Sequence, residues 1–445
     1  MTRALRCAAT ALLALGAALL PATGTQAAPH APGGNPGPLV PLTSAAERAK
    51  LTLTEHRVSP HTLSTLDGLL PHASVHSVLN SANHRMRNAA DCAHTEVAAL
   101  PLAPKAAAAY CWDHGDATTQ DWLPQSVTTS DGATGNGTWG PDKVILSGWT
   151  HNAAKGPARD AGLARVAFVN ANNPKALSYR WALLAVPTDG GHNFAKLGSH
   201  LGGMAWYGDK LIVTASNGDA HHNALYVFSM KHLLRATVNN PAIGKVSGGY
   251  AAHGLQYVMP AIGSYRLNSA CDSSTSRGAP CFASVSLDRS GSRPSIVANE
   301  WFSSGGNQPA RLFRYRLAAP NSAAPLATDG KGHAPAAEAY RTAAVGLQGA
   351  VAHQGVWYAA DARGGRGQHG IMWRLTTHGA TSAHDCGSDR PQACWAQHSE
   401  GMALSGRTGQ LWSLTEWAAA ADAKWHPPAI PERVLFSVPL TSLDN

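Results

Sequence analysis

From residue 111 to the end, the chain alternates short apolar runs with clusters of Gly, Asn, Asp and Ser. Apolar runs of about four to eight residues bounded by turn residues are the pattern of many short strands. Five stretches repeat one order of elements. The plainest is Gly203-Met204-Ala205-Trp206-Tyr207, a Gly208-Asp209 turn, then Lys210-Leu211-Ile212-Val213-Thr214-Ala215. Gly401-Met402-Ala403-Leu404 precedes Leu411-Trp412-Ser413-Leu414-Thr415-Glu416, and Gly349-Ala350-Val351-Ala352-His353 precedes Val356 to Asp361. Looser copies are Ser284 to Leu287 with Ile296 to Glu300, and Ser126 to Thr129 with Val144 to Trp149. In each, a small residue opens strand a and an apolar strand b follows a turn. A third run closes the copy: Val166–Val169, Leu225–Met230, Leu312–Leu317, Ile371–Leu375 and Val434–Leu440.

The copies start at residues 126, 203, 284, 349 and 401, so they are spaced by 77, 81, 65 and 52 residues. A compact propeller blade takes about 40 to 50 residues, so the surplus belongs to loops or fourth strands. A sheet of this size cannot bury both faces alone, and stacking copies around an axis solves that problem. The prediction is an all-β fold, a five-bladed β-propeller. The competing arrangements are a β-sandwich of the same short strands and a six-bladed ring with a further blade between Tyr250 and Asn268.

The N-terminal part has a different texture. Residues 1–27 carry Arg3 and Arg6, an apolar run from Cys7 to Leu20 and small residues before Ala27-Ala28, which reads as a signal peptide. That run is about 14 residues, short of the roughly 20 of a spanning helix, and no later segment replaces it. The expectation is a secreted, extracellular protein without a membrane anchor. Residues 28–43 are rich in Pro and Gly and are predicted to be disordered. Residues 44–110 form a partly helical N-terminal extension, with helices expected over 45–51 and 63–70, and residues 111–445 the propeller.

With Cys7 removed, Cys92, Cys111, Cys271, Cys281, Cys386 and Cys394 remain. An even number in an exported chain suggests disulfides, and their local grouping predicts 92–111, 271–281 and 386–394. None has the spacing of a zinc knuckle. Without Arg3 and Arg6 the balance is 33 basic against 27 acidic residues, and the basic residues are scattered. Nucleic acid needs a clustered basic stripe, so it is excluded as a partner.

The arrangement resembles a group of secreted actinobacterial proteins of propeller type, through Ser199-His200-Leu201-Gly202-Gly203-Met204-Ala205-Trp206-Tyr207-Gly208, Glu400-Gly401-Met402 and Leu414-Thr415-Glu416. The resemblance covers roughly residues 110 to 445. It implies the fold and supplies no functional residues.

Strand geometry locates the candidate chemistry. In an antiparallel pair, residues before strand a and after strand b lie at the same end. Before strand a stand Gln125, His200, Gln348, His398 and Glu400. Closing strand b stand Trp149, His151, Glu300, Trp301, Asp361, Arg363, Glu416 and Trp417, with Asp219, His221 and His222 in one loop. Indoles beside carboxylates and amides suit a sugar ring and its hydroxyls. The plainer alternative is that the tryptophans pack and the polar residues are solvated turns.

Glu400 and Glu416 are the candidate catalytic pair, since two close carboxylates can divide into acid and base. Backbone capping is the bland role for either. The Asp219/His221/His222 loop lacks any metal-binding spacing, so no metal and no cofactor is assigned. No Gly-x-Ser-x-Gly elbow supports a serine hydrolase. The positions before strand a differ between copies (Gln125, Gly202, Ala283, Gln348, Glu400), which predicts one central site rather than five repeated ones. Two functions follow as expectations: binding of extracellular or cell-wall polysaccharide, or hydrolysis or lysis of such a polymer by Glu400 and Glu416.

Overall fold

The computed structural model describes residues 34–152, 160–215, 224–303, 308–320, 322–362, 365–387, 391–419 and 429–444. With 43% strand against 13% helix, the protein is mostly β, as expected. Its largest sheet contains a nearly closed, barrel-like path of eight strands.

Among the described residues, the predicted copies each become an antiparallel run of strands a, b and c, joined by a fourth strand d. Unit I comprises Trp122–Thr129, Val144–His151, Ala164–Asn170 and Ser178–Thr188. Unit II comprises Met204–Tyr207, Lys210–Ala215, Ala224–Ser229 and Tyr257–Leu267. Unit III runs Ser284–Asp288, Ser295–Asn299, Ala310–Arg316 and Glu338–Thr342. Unit IV runs Leu347–His353, Val356–Asp361, Ile371–Leu375 and Ala380–Ser382. Unit V takes Ala403–Ser405, Gln410–Leu414 and Val434–Pro439 from the C-terminal end, and its fourth strand is Ala108–Cys111. The surplus length in the spacings is therefore fourth strands as well as loops.

Tyr257–Leu267 accounts for the stretch between Tyr250 and Asn268 where the competing six-bladed ring would put a further blade. Its first residues pair parallel with Ala182–Ala185 of unit I, while Ala261–Arg266 pair antiparallel with Ala224–Phe228 of unit II. One long strand thus joins two units into the eight-strand path.

Strand b of unit II is buried at every position. A sheet covered on both faces has no polar face to alternate with, so its strands read as continuous apolar runs. The cores lie between successive units. Leu146, Val166, Trp206 and Val213 join I to II. Ala205, Leu225, Val285 and Phe313 join II to III. Val297, Leu312, Ala350 and Trp357 join III to IV, and Val351, Tyr358, Met402 and Phe436 join IV to V. Val127, Trp149, Leu414 and Leu435 join V back to I.

The N-terminal residues are woven into this body. Helix Ala45–Ala49 is capped by Ser44, and helix Pro60–Leu69 by Ser59 with Pro at its first turn, near the spans predicted. Between them Leu53–Arg57 pairs with Gly263–Leu267. Of the stretch predicted to be disordered, Val40–Pro41 pairs with Tyr340–Arg341 instead. The reason is local: Leu39 and Leu42 flank that pair and are buried at 3% and 2% exposure, each in a different core. The three predicted disulfides are present. Cys92–Cys111 secures the fourth strand of unit V, whose first three residues lie inside the stretch 44–110 read as an N-terminal extension. Among the described residues, no helix is long and apolar enough to cross a membrane.

Val434–Pro439 pairs on one side with Gln410–Leu414 and on the other with Ala108–Cys111. A chain ended at Glu432 loses this strand and leaves both neighbours with unpaired edges. It is expected to aggregate on purification and to show no cooperative melt. A soluble truncation with a cooperative thermal transition would contradict this account of how the first and last residues close the fold.

Candidate functional site

The register places the predicted positions at one edge of each unit. Trp122 faces His151, Ser284 faces Asn299, Leu347 faces Asp361, and Ser399 bridges to Thr415. At this edge the units meet backbone to backbone. The Gly401 amide donates to the Gln125 carbonyl at 2.9 Å. A Cβ on Gly202 would lie 2.1 Å from the Ala283 carbonyl oxygen, one on Gly401 2.8 Å from that of Gly202, and one on Gly349 2.9 Å from that of Glu400. The five positions aligned before strand a are therefore adjacent or next to residues that are.

Glu400 and Glu416 come together on this floor. The Glu416 amide donates to the His398 carbonyl and the Glu400 amide to the Leu414 carbonyl, each at 3.0 Å, so the two segments run as a short ladder. Gln125 Nε2 donates to Glu416 Oε1 at 2.7 Å. Arg433 reaches the Glu416 backbone carbonyl through Nε at 2.7 Å, and its Nη1 donates to the carbonyls of Asp116 and Thr119. His398 adopts a left-handed φ of 40° and stacks on Trp417 with an 18° angle between the rings. His398, Glu416 and Trp417 are half-buried.

The two carboxyls differ electrostatically. Glu400 is 2% exposed, and among the described residues its Oε2 has no hydrogen-bond partner. Burial holds its proton affinity well above the ordinary carboxylate value, and the neighbouring Glu416 carboxylate adds to that. Burial also raises Glu416, but the Gln125 amide, the Arg433 charge and Trp417 oppose the rise. Glu400 is thus the member of the pair whose protonated form is favoured more strongly. Gln125 Oε1 and Ser399 Oγ are likewise buried without a partner among the described residues. The floor offers a carboxyl donor, an amide acceptor, a hydroxyl and a hydrogen-bonded carboxylate beside an indole–imidazole stack.

Other predicted residues are employed elsewhere. Trp149 is fully buried, edge-on to Trp112 at 4.9 Å and to Trp181 at 5.3 Å, with its Nε1 donating to Ser147. This cage encloses the Arg165 guanidinium, 3.6 Å from the Trp181 ring centre and 4.2 Å from that of Trp122. A desolvated cation over indole is worth about 2 kcal/mol, so this tryptophan packs and offers no face to a ligand. Glu300, 1% exposed, accepts from Arg311 Nε at 2.7 Å and Nη2 at 2.6 Å. Breaking such a buried pair costs about 3–5 kcal/mol, which assigns Glu300 to the fold.

Asp361 is fully buried opposite Leu347, Gln348 is half-buried, and Trp301 is 44% exposed. His200 and His151 line a separate recess of about 460 Å³ with Thr150 and Ser199. Arg363 and the Asp219/His221/His222 loop lie outside the described residues. Among the described residues, one trio of metal-type ligands outside the disulfides stands together: His84, Asp113 and Asp116. Asp116 is already committed to Arg165, Tyr179 and Trp181, so this trio is a structural network.

The sequence did not single out Ser399 or Arg433. Ser399 lies inside the Gln397-His398-Ser399-Glu400 turn without a motif, and Arg433 is an isolated basic residue whose partners are backbone carbonyls. Searches of the chain against protein-family models and against curated proteins return no match.

The raised Glu400 carboxyl has a stability signature. A carboxyl whose folded proton affinity exceeds its unfolded value contributes stability that is fully present below the unfolded value. That contribution is lost as pH rises towards and through the folded value. Glu400→Gln keeps the shape and removes the titration. The variant is expected to match the parent melting temperature near pH 4 and to exceed it at pH 7–8. Equal melting temperatures at both pH values, or a variant less stable at pH 8, would contradict a protonated Glu400.

Proposed function

We propose that the five units are the blades of a five-bladed β-propeller and that the exported protein binds extracellular or cell-wall carbohydrate at the floor formed by Gln125, His398, Ser399, Glu400, Glu416 and Trp417. One observation carries this reading: buried, unclaimed hydrogen-bonding atoms of both kinds converge beside an aromatic stack. A sugar hydroxyl is donor and acceptor at once and can satisfy a neutral carboxyl, an amide oxygen and a carboxylate together. Trp417 supplies the apolar surface that a pyranose ring covers. Phosphate or sulfate would meet the Glu416 carboxylate here, so a neutral or weakly charged glycan is the fitting class. The five inter-unit cores, the last returning to unit I, support the ring.

A second reading rests on the electrostatic split. Glu400, the more strongly raised carboxyl, would act as general acid and Glu416 as base, so the same floor would serve a polysaccharide hydrolase or lyase.

A glycan array and a polysaccharide-digestion screen with the mature protein test both. Binding to at least one glycan is expected, with Trp417→Ala weakening it about tenfold, equivalent to about 1.4 kcal/mol. Glu400→Gln leaves binding within a few-fold and abolishes any turnover. Failure to bind any neutral glycan, or neutral-glycan binding indifferent to Trp417→Ala, overturns the assignment of this floor.

A further inference from the structure

The cleft between units III and IV opens at the other end of the sheets. Asp288 faces Ser295 across the a–b turn of unit III, and His353 faces Val356 across that of unit IV. These turns are opposite the edge that carries Glu400 and Glu416, so what happens here does not depend on the reading of that site. The two turns are clipped together where the Gln354 amide donates to Ser290 Oγ at 2.8 Å. Beside the clip lies a cavity of about 770 Å³, within the range of small-molecule sites.

Arg314 forms the fixed part of its wall. One guanidinium nitrogen, Nη1, donates to Asp288 and Ser295, and Nε donates to Glu338 at 3.1 Å. Its Cζ sits 5.5 Å from the Trp357 ring, which Tyr340 meets edge-on. Both carboxylates of the cavity are therefore consumed by one arginine, whose remaining nitrogen, Nη2, has no acceptor among the described residues. Arg293 and Arg316 also line the cavity, are exposed, and pair with no carboxylate among the described residues. Three guanidiniums against two carboxylates leave a positive recess. A purely structural cluster would instead close its charges internally. The guanidinium fork matches oxyanions in two-point contacts, and Ser292 and the Tyr340 hydroxyl add groups that suit a polyol.

We infer that this cleft is an oxyanion-binding subsite for an acidic glycan, in which Arg293 and Arg316, with the open edge of Arg314, take a carboxylate or phosphate group borne by the polymer. The scattered basic residues elsewhere give no stripe for a nucleic acid, so a single recess framed by arginine and hydroxyl groups selects a local anion on a sugar.

The test is calorimetric titration of the mature protein with an oligogalacturonate, with a neutral oligosaccharide of similar length, and with inorganic phosphate as competitor. The oligogalacturonate is expected to bind at low salt and to weaken about tenfold at about 0.5 M NaCl, where charges are screened within a few ångströms. The double variant Arg293→Gln/Arg316→Gln should lose at least about tenfold in affinity while its melting temperature stays within a few degrees. Trp417→Ala should leave oligogalacturonate binding unchanged, which separates this subsite from the floor at Glu400. Competition by phosphate that needs the same two arginines identifies a phosphate-bearing polymer; insensitivity to phosphate identifies a uronate. Absence of binding by both anions, or oligogalacturonate binding that the double variant does not weaken, overturns the proposal.

Discussion

The structure depends on the close approach of backbones where the units open. At Gly202, Gly349 and Gly401 a single added Cβ would fall within 2.9 Å of a neighbouring carbonyl oxygen, a distance that forces the chain apart. Gly203 is tighter still, with the amide nitrogen of Val285 1.9 Å from where its Cβ would stand. These glycines let the first strands of different units pack nearly backbone on backbone, with the Gly401 amide bonded to the Gln125 carbonyl. Because Gln125 belongs to unit I and Gly401 opens unit V, that contact also joins the two ends of the repeat. The N-terminal strand Ala108–Cys111, disulfide-bonded to Cys92, completes the same junction from the outer side.

The electrostatics follow from that packing. Glu400 sits one residue before Gly401, with its carbonyl against Gly349 and its amide on Leu414, so only 2% of its surface reaches water. An isolated ionised carboxylate in such a place would be costly, and the group takes a proton instead. Glu416 differs because it is half-exposed and faces Gln125 and Arg433. Arg433 is itself lowered by burial, to about 10, yet retains its charge at neutral pH and spends its donors on three backbone carbonyls. The resulting pair combines one hydrogen-bond donor and one acceptor, which is the complementarity the carbohydrate proposal uses.

Much of the strand order was legible because strands buried on both faces announce themselves as continuous apolar runs; Lys210–Ala215 and Val356–Asp361 are read directly. The cysteine pairs were legible because they are close in sequence. The fourth strand of unit V was not, since Ala108-Ala109-Tyr110-Cys111 is short and alanine-rich and its partner lies at the far end of the chain. Tyr257–Leu267 left a six-bladed alternative open because one strand serves two units. For the site, alignment found Glu400, Glu416, Gln125, His398 and Trp417, which do converge. It also gathered Trp149 and Glu300, whose roles are set by partners it could not see. The cage of Trp112 and Trp181 is contributed by other segments, and Arg311 stands opposite the Asn299–Glu300 junction on the next strand. Position at a strand end fixes the edge on which a residue lies, but not whether its side chain points into a core or towards solvent.

Burial of Glu400 favours its protonated form, and the floor at the opening of unit V owes its mix of a carboxyl donor and the Glu416 acceptor to that. Difference infrared spectroscopy between the parent protein and Glu400→Gln at pH 7 reads that state directly. The account predicts that the substitution removes a protonated carboxylic acid carbonyl band and leaves the ionised carboxylate bands unchanged. Loss of an ionised carboxylate signal instead would show a charged Glu400 and contradict it.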